Sequence, residues 1–386
     1  MTNSPNCPVR ILYLDHAPIW GGAEAVLVTL LQHLDREQFQ PFVATAAQSP
    51  LAQRLAGSDV PILPVPFDTL NQAGWRLPFH LAESVTAVAR LIRQQAIPLL
   101  HTNTVRAHIV GSLAGWLTRT PVVWTLHDNT FPPRLARWLA PIPRQVIAVS
   151  GWLAELYEPG GLTGKLTVIA NGLNLAAPPA NGPDLRSELG IPPDAPLVLS
   201  VARLVEGKAP HLFIEAAEQV AAQHPTARFV LVGGPDDGEP TPRAAAYAEK
   251  LAQAITRTPL AERLLLVGQR QDVARFYQAA DVFVYHAVWP EGLPTVLLEA
   301  MAYAKPVVAA AIGGALEIVQ DGETGLLTRP NDATALAAAI SALLNNTAVA
   351  EKMGQAGLER IHQSFSVARQ VAQTAVLYSH VVAGGP

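Results

Sequence analysis

Glu291 and Glu299 stand eight residues apart, at a junction between strand-like and helix-like sequence. Upstream, Asp281-Val282-Phe283-Val284-Tyr285 is a short apolar run of strand type. Downstream, Pro294 follows Gly292 and Leu293 and suits the first residue of a helix, because its missing N–H has no partner to lose there. The pattern predicts a helix from Pro294 to about Ala304, ahead of Pro306. The amides of Thr295, Val296 and Leu297 then face the loop, with the geometry and partial positive charge that hold a phosphate group. Carboxylates do not bind phosphate, but they accept hydrogen bonds from sugar hydroxyls. Phosphate donors between two such carboxylates describe a nucleotide-sugar site, with Glu299 at the ribose and Glu291 at the transferred sugar.

Three other places carry residue types able to do chemistry. Arg203 and Lys208 lie five apart between a strand-like run and a helix, where a guanidinium fork and an ammonium can converge on a diphosphate; the spacing equally fits a solvated charged loop. His127 ends the β-rich run Val122–Leu126, a position suited to chemistry and also to a structural hydrogen bond. Gly21 and Gly22 follow the first strand-like run, where adjacent glycines allow a ligand close to the backbone or simply make a tight turn. No Cys/His cluster, Walker loop, Gly-x-Ser-x-Gly elbow or Asp-x-Asp pair is present, so neither a metal nor another cofactor is expected.

The run from Asp281 to Leu327 has Glu, seven residues, Glu, then Ala-Met-Ala, Lys305-Pro306-Val307-Val308-Ala309, Gly313-Gly314 and Glu317-Ile318-Val319. In that order it resembles the signature of the retaining glycosyltransferases of family 4, which have the two-domain GT-B fold. The resemblance spans nearly the whole chain. It implies that Gly21-Gly22-Ala23-Glu24 is the glycine loop facing donor phosphates and acceptor, that His127 contacts the transferred sugar, and that Arg203 and Lys208 hold the leaving diphosphate. It places Gly292, Leu293, Pro294, Thr295 and Val296 with the two glutamates at the donor, and Gly268-Gln269-Arg270-Gln271-Asp272 in the loop that reads the base through its backbone. It further implies retention at the anomeric carbon without a metal, since Arg203, Lys208 and helix amides supply the charge. Ala202 and Ala209 stand where the family commonly has Gly, and Asn174 stands where it commonly has Asp. Rival readings are a phosphorylase or nucleotide-sugar epimerase on the same fold, or a non-catalytic nucleotide-sugar binding protein.

The elements that must carry these residues alternate between strand and helix, which predicts an α/β chain with two Rossmann-like, doubly wound parallel-sheet domains facing a central cleft. In the first half, strands are expected at Val9–Leu14, Phe39–Thr45, Ile62–Val65, Leu99–Thr102, Val122–Leu126, Gln145–Ser150 and Leu166–Ala170, with helices at Ala25–Leu34 and Phe79–Gln95. Residues 177–184, rich in Pro, Ala and Asn, read as a linker between an acceptor-side domain over 1–176 and a donor domain over 185–365. A last helix from Ser366 to Val382 is long enough to return to the first domain, so 366–386 belongs there. In the second half, strands at Leu197–Val201, Phe229–Val232 and Leu264–Val267 and helices at Pro210–Gln223, Ala315–Val319 and Asp332–Leu344 continue the alternation.

A chain of 386 residues with 49% hydrophobic and 15% charged residues has material for two cores and argues against disorder. A net charge of −4 gives no support to nucleic-acid binding. Cys7 is the single cysteine, which suits a reducing compartment, and there is neither a long apolar run nor a basic-then-apolar leader. A cytoplasmic enzyme is expected, working at the inner face of the membrane if its acceptor is lipid-linked rather than a polysaccharide. Residues 1–175 carry twelve Lys and Arg against ten Asp and Glu, the remainder fifteen against twenty-one, which turns the first half toward an anionic acceptor or lipid surface. Between Phe131 and Arg144, Arg134, Arg137 and Arg144 alternate with Trp138 and prolines. That stretch reads either as a loop for acceptor or membrane, or as a connector whose Trp packs inward.

Overall fold

The computed structural model describes residues 7–71, 75–139, 142–174, 184–235 and 241–384. Positions 177–183 of the expected linker and the side chain of Arg137 lie outside the described residues. The chain forms two compact units, Met1–Gly172 with Val367–Pro386, and Leu173–Ser366.

In the first unit β1 (Val9–Leu14), β2 (Phe39–Thr45), β3 (Ile62–Pro64), β4 (Leu99–Thr102), β5 (Val122–Leu126), β6 (Gln145–Ala148) and β7 (Leu166–Val168) make one sheet in the order β3-β2-β1-β4-β5-β6-β7. Every pair is parallel. Alternate residues of each strand serve opposite faces. Ile11 and Tyr13 pack with the helix Gly22–His33 and with Leu377, Tyr378 and Val381 of the last helix, Val367–Val382. Leu12 and Leu14 pack on the other side with the helices Leu77–Gln94 and Val105–Thr118. Both faces are covered, which is why these strands read as nearly unbroken apolar runs.

The second unit repeats the plan with β8 (Leu197–Val201), β9 (Arg228–Val232), β10 (Leu264–Leu266), β11 (Val282–Tyr285), β12 (Val307–Ala310) and β13 (Gly325–Thr328), ordered β10-β9-β8-β11-β12-β13. Its core centres on Phe213, Phe229, Leu231, Val282 and Val284.

Several boundaries differ from the sequence-based ones because a capping residue ends an element early. Ser150 does not extend β6; its hydroxyl accepts from the Leu153 amide at 3.3 Å and caps the helix Gly151–Tyr157. Asp332 likewise caps Ala333–Asn345 from outside. The helix expected from Ala25 begins at Gly22, with Gly21 as its N-cap. Pro294 is also an N-cap rather than the first helical residue, and the helix runs Thr295–Ala302. It stops short of Ala304, whose backbone is left-handed at φ 53°.

Each sheet reverses strand order once, at β1/β4 and at β8/β11. In open α/β sheets ligands bind outside the carboxyl ends of the strands at such a point. Asp15 follows β1, Asn103 follows β4 and His127 follows β5; in the second unit Ala202-Arg203 follows β8 and His286 follows β11. Among the described residues no single helix is long and apolar enough to cross a membrane.

Candidate functional site

Asp15, Asn103 and His127 form a hydrogen-bonded chain along the carboxyl edge of the first unit's sheet. The Asn103 amide donates from Nδ2 to Asp15 Oδ2 at 2.7 Å, and the Ala17 amide donates to Asp15 Oδ1 at 2.8 Å. His127 donates from Nε2 to Asn103 Oδ1 at 2.8 Å, which leaves Nδ1 as the bare acceptor. Burial pushes the His127 imidazole down to about 4, so the ring is neutral at pH 7. Nδ1 is buried without a hydrogen-bond partner among the described residues, as is Asn171 Oδ1. Both residues line a cavity of about 20 Å³ beneath the helix Gly22–His33, too small for a sugar. One ring nitrogen is thus bonded to Asn103 and the other is left without a partner among the described residues.

The glycine loop beside this chain already contains a buried carboxyl. Glu24, in the first helical turn after Gly21-Gly22, is buried with its carboxyl against the loop, where a Cβ on Gly21 would lie 3.1 Å from Oε2. Burial first, then the facing Asp15 carboxylate, push Glu24 up to about 8. Burial raises Asp15 as well.

The second unit's residues are charged and more open. Lys208, in the loop after β8, forms an ion pair from Nζ with Glu291 Oε2, and Tyr285 Oη, at the end of β11, donates to Glu291 Oε1 at 2.6 Å. The two residues singled out from separate stretches of sequence thus meet. Arg203, in the same loop, is exposed. The Glu291 loop is held from behind by Gly313 and Gly314: the Gly314 amide donates to the Glu291 carbonyl at 2.9 Å. A Cβ on Gly314 would lie 2.0 Å from the Gly292 carbonyl oxygen, and one on Gly313 2.6 Å from that of Glu291. Only glycine permits that approach.

Of the three amides expected to face a phosphate, that of Leu297 is taken by the Pro294 carbonyl at 3.1 Å, a tight first turn that leaves Thr295 and Val296 for the role. Glu299 lies one turn in and accepts from Tyr277 Oη at 2.8 Å. Burial pushes its carboxyl up to about 7, against the pull of the Tyr277 hydroxyl.

The Arg270 side chain is held within the second unit. Its guanidinium is forked onto Asp272, at 2.7 and 2.8 Å, and reaches Glu188 at 3.1 Å; Arg275 shares both acids. The side chain is committed to this network. Trp138 is 70% exposed in the helix Pro133–Leu139, which overturns the reading of a connector with an inward Trp.

The sequence reading passed over Asp15 and Asn103 as site residues, and Tyr277 and Tyr285 as their counterparts. The available signal was position: Asp15 and Asn103 are polar and immediately follow buried strands, as His127 does. The tyrosines carry no such signal, because Tyr285 ends an apolar run and reads as core and Tyr277 lies within a helix away from any strand end.

The family model for glycosyl transferases group 1 matches residues 182–360, and that for Glycosyltransferase Family 4 matches residues 20–177. The alpha-maltose-1-phosphate synthase of Mycobacterium tuberculosis is 35% identical over 75% of this chain and 80% of its own length. The Escherichia coli UDP-Gal:alpha-D-GlcNAc-diphosphoundecaprenol alpha-1,3-galactosyltransferase is 27% identical over 98% of this chain and 99% of its own. Among solved structures, Anabaena Alr3699/HepE in complex with UDP-glucose superposes with a TM-score of 0.81 at 28% identity, covering 96% of this chain and 99% of that one.

Proposed function

The chain belongs to the family 4 glycosyltransferases, a GT-B enzyme that uses a nucleotide sugar, and from that premise we propose that it transfers a hexose from UDP to a hydroxyl acceptor with retention and without a metal. The observation that carries the reading is the meeting of Lys208 with Glu291 beside the start of the Thr295–Ala302 helix. Here Lys208, Arg203 and the amides of Thr295 and Val296 hold the diphosphate, and Glu291 the transferred sugar. Glu299, its carboxyl near neutral pH in its proton affinity, takes the ribose hydroxyls. Uracil is favoured as the base because similar structures at nearly full coverage hold UDP and UDP-glucose.

In the proposed reaction the bond from the anomeric carbon to the diphosphate oxygen breaks as the bond to the acceptor oxygen forms on the same face. The released phosphate oxygen takes the acceptor's proton, so no protein nucleophile is needed. Charge developing on the leaving group is met by Lys208 and Arg203. In the first unit Asp15 fixes Asn103, and Asn103 fixes the neutral His127 ring that faces the transferred sugar.

A lipid-linked acceptor is the second part of the reading. Trp75, Phe79, Trp116 and Trp138 of the first unit are all more than two-thirds exposed, and the Arg76 guanidinium lies 5.1 Å from the Trp75 ring. Amphipathic aromatics with Arg suit an anionic membrane interface, where the enzyme would work on the inner face.

Thermal stabilisation across UDP-, GDP- and ADP-hexoses tests the donor, since a ligand bound to the folded state raises the melting temperature. UDP-hexoses should stabilise most; equal silence from all would remove the donor reading. Anomeric coupling constants of the product by NMR test retention, and assay in EDTA, with no expected loss, tests metal independence. Sugar phosphate formed with inorganic phosphate as the sole acceptor would favour a phosphorylase instead.

A further inference from the structure

We propose that His286 is a positioning residue for Lys208, fixing the main chain at the root of that lysine so that only its stem swings between Glu291 and the donor diphosphate. The proposal rests on the reading of Lys208 as a diphosphate ligand.

His286 is the first residue past β11 and is 2% exposed. Its Nδ1 lies 2.6 Å from the Lys208 carbonyl oxygen, and its Nε2 lies 2.7 Å from the hydroxyl of Ser200, itself buried in β8. A carbonyl can only accept, so Nδ1 carries the hydrogen and Nε2 accepts from the serine. Burial keeps the ring neutral, which suits a bond to an uncharged carbonyl.

The preceding carbonyl is clamped as well. The amides of Val288 and Trp289 donate to the Gly207 oxygen at 2.9 and 3.1 Å. A Cβ on Gly207 would come within 2.2 Å of the Trp289 ring, so the loop lies flat against this segment. Ala209 follows in the left-handed region at φ 50° and ψ 47°, a conformation that Ala holds only where its surroundings dictate it. Two successive carbonyls tied to the exit of β11, with Ala209 forced behind them, are the surroundings that dictate it.

Tyr285 and His286 thus divide the work. Tyr285 holds the carboxylate that pairs with the Lys208 ammonium, and His286 holds the lysine's backbone. An ammonium on a flexible stem binds diphosphate well only if its root is fixed, since otherwise binding must also order the loop.

Calorimetry on the full chain with UDP and with uridine separates the phosphate contribution from that of the nucleoside. His286→Leu should weaken UDP by roughly tenfold, the loss of about one hydrogen bond's worth of positioning, and leave uridine unchanged. His286→Asn, whose amide can donate to the same carbonyl, should bind UDP within about threefold of wild type. Ser200→Ala, which leaves the tautomer unenforced, should fall between them. His286→Leu binding UDP normally, losing UDP and uridine alike, or behaving no worse than His286→Asn overturns the proposal. Should His286→Leu not fold, Ser200→Ala decides: weaker UDP with normal uridine supports the pin, and unchanged UDP overturns it. Wild type that binds none of UDP, GDP or ADP strikes the donor reading itself, a result distinct from normal wild-type binding with indifferent variants.

Discussion

The two units share a doubly wound parallel sheet and one reversal of strand order, yet the residues at those reversals are chemically opposite. In the first unit the carboxyl edge holds a buried hydrogen-bonded chain, Asp15–Asn103–His127, with the Glu24 carboxyl pushed up to about 8 by burial. In the second it holds an ammonium, a carboxylate pair and helix amides in a more open setting. The common topology selects where a ligand site forms; the first few residues past each strand select what it does. A buried, hydrogen-bonded edge orients hydroxyls, whereas an open, charged edge stabilises a leaving anion.

The comparison breaks most sharply at Lys208. Lys208→Ala should lower turnover by roughly 10²- to 10³-fold, as loss of one preorganised charge-stabilising group does. Initial rates with donor and acceptor check this, and near-normal turnover would take the loop after β8 out of the chemistry.

Glu299→Gln should act on binding. Donor Kd should weaken by roughly 10- to 100-fold, because a charge-assisted bond becomes neutral, while turnover at saturation changes little. The pH dependence has a definite sign. The Glu299 carboxyl sits at about 7 in the folded protein, so lowering the pH from 8 to 6 protonates it and weakens UDP binding, by up to about tenfold per unit below 7. Calorimetry across that range should show a steeper slope in wild type than in Glu299→Gln, the remainder being the titration of the UDP terminal phosphate itself.

Asn103→Leu sharpens the comparison from the other side. His127 then loses the acceptor for its Nε2–H, and turnover should fall by about tenfold with UDP affinity unchanged, since the proposed nucleotide contacts all lie in the second unit. A parallel loss of UDP binding would dissolve the division of labour between the units.

The smallest effect is expected at Arg270. With its guanidinium committed to Asp272 and Glu188, Arg270→Ala should shift UDP Kd by less than about threefold, and the partly exposed network should cost at most a few degrees in melting temperature. A tenfold loss of UDP affinity would restore it to the donor site.

Strand positions were largely readable, because a strand buried on both faces must be apolar throughout; β1, β2, β4, β5 and β8 fall where the apolar runs do. Element ends were less so, since Ser150 and Asp332 read as continuations until their side chains are seen bonding the next helix's amides. The helix Thr347–Ser364 was missed: its apolar face is sparse, and Gly354 and Gly357 look like breakers. Both are required, since a Cβ on Gly354 would meet the Ala304 carbonyl at 2.0 Å and Gly357 lies against Met301.

The linear order of residues settled the family and the two-sheet architecture, because those depend on periodicity and on motifs whose chemistry is local. It said nothing of Asn103 as the link between Asp15 and His127, of Tyr285 and Lys208 meeting at Glu291, or of Arg270 turning away onto two acids. Those pairings join residues up to 88 positions apart. Which partner a polar group takes is set by which strands lie side by side, and strand order is a property of the folded sheet.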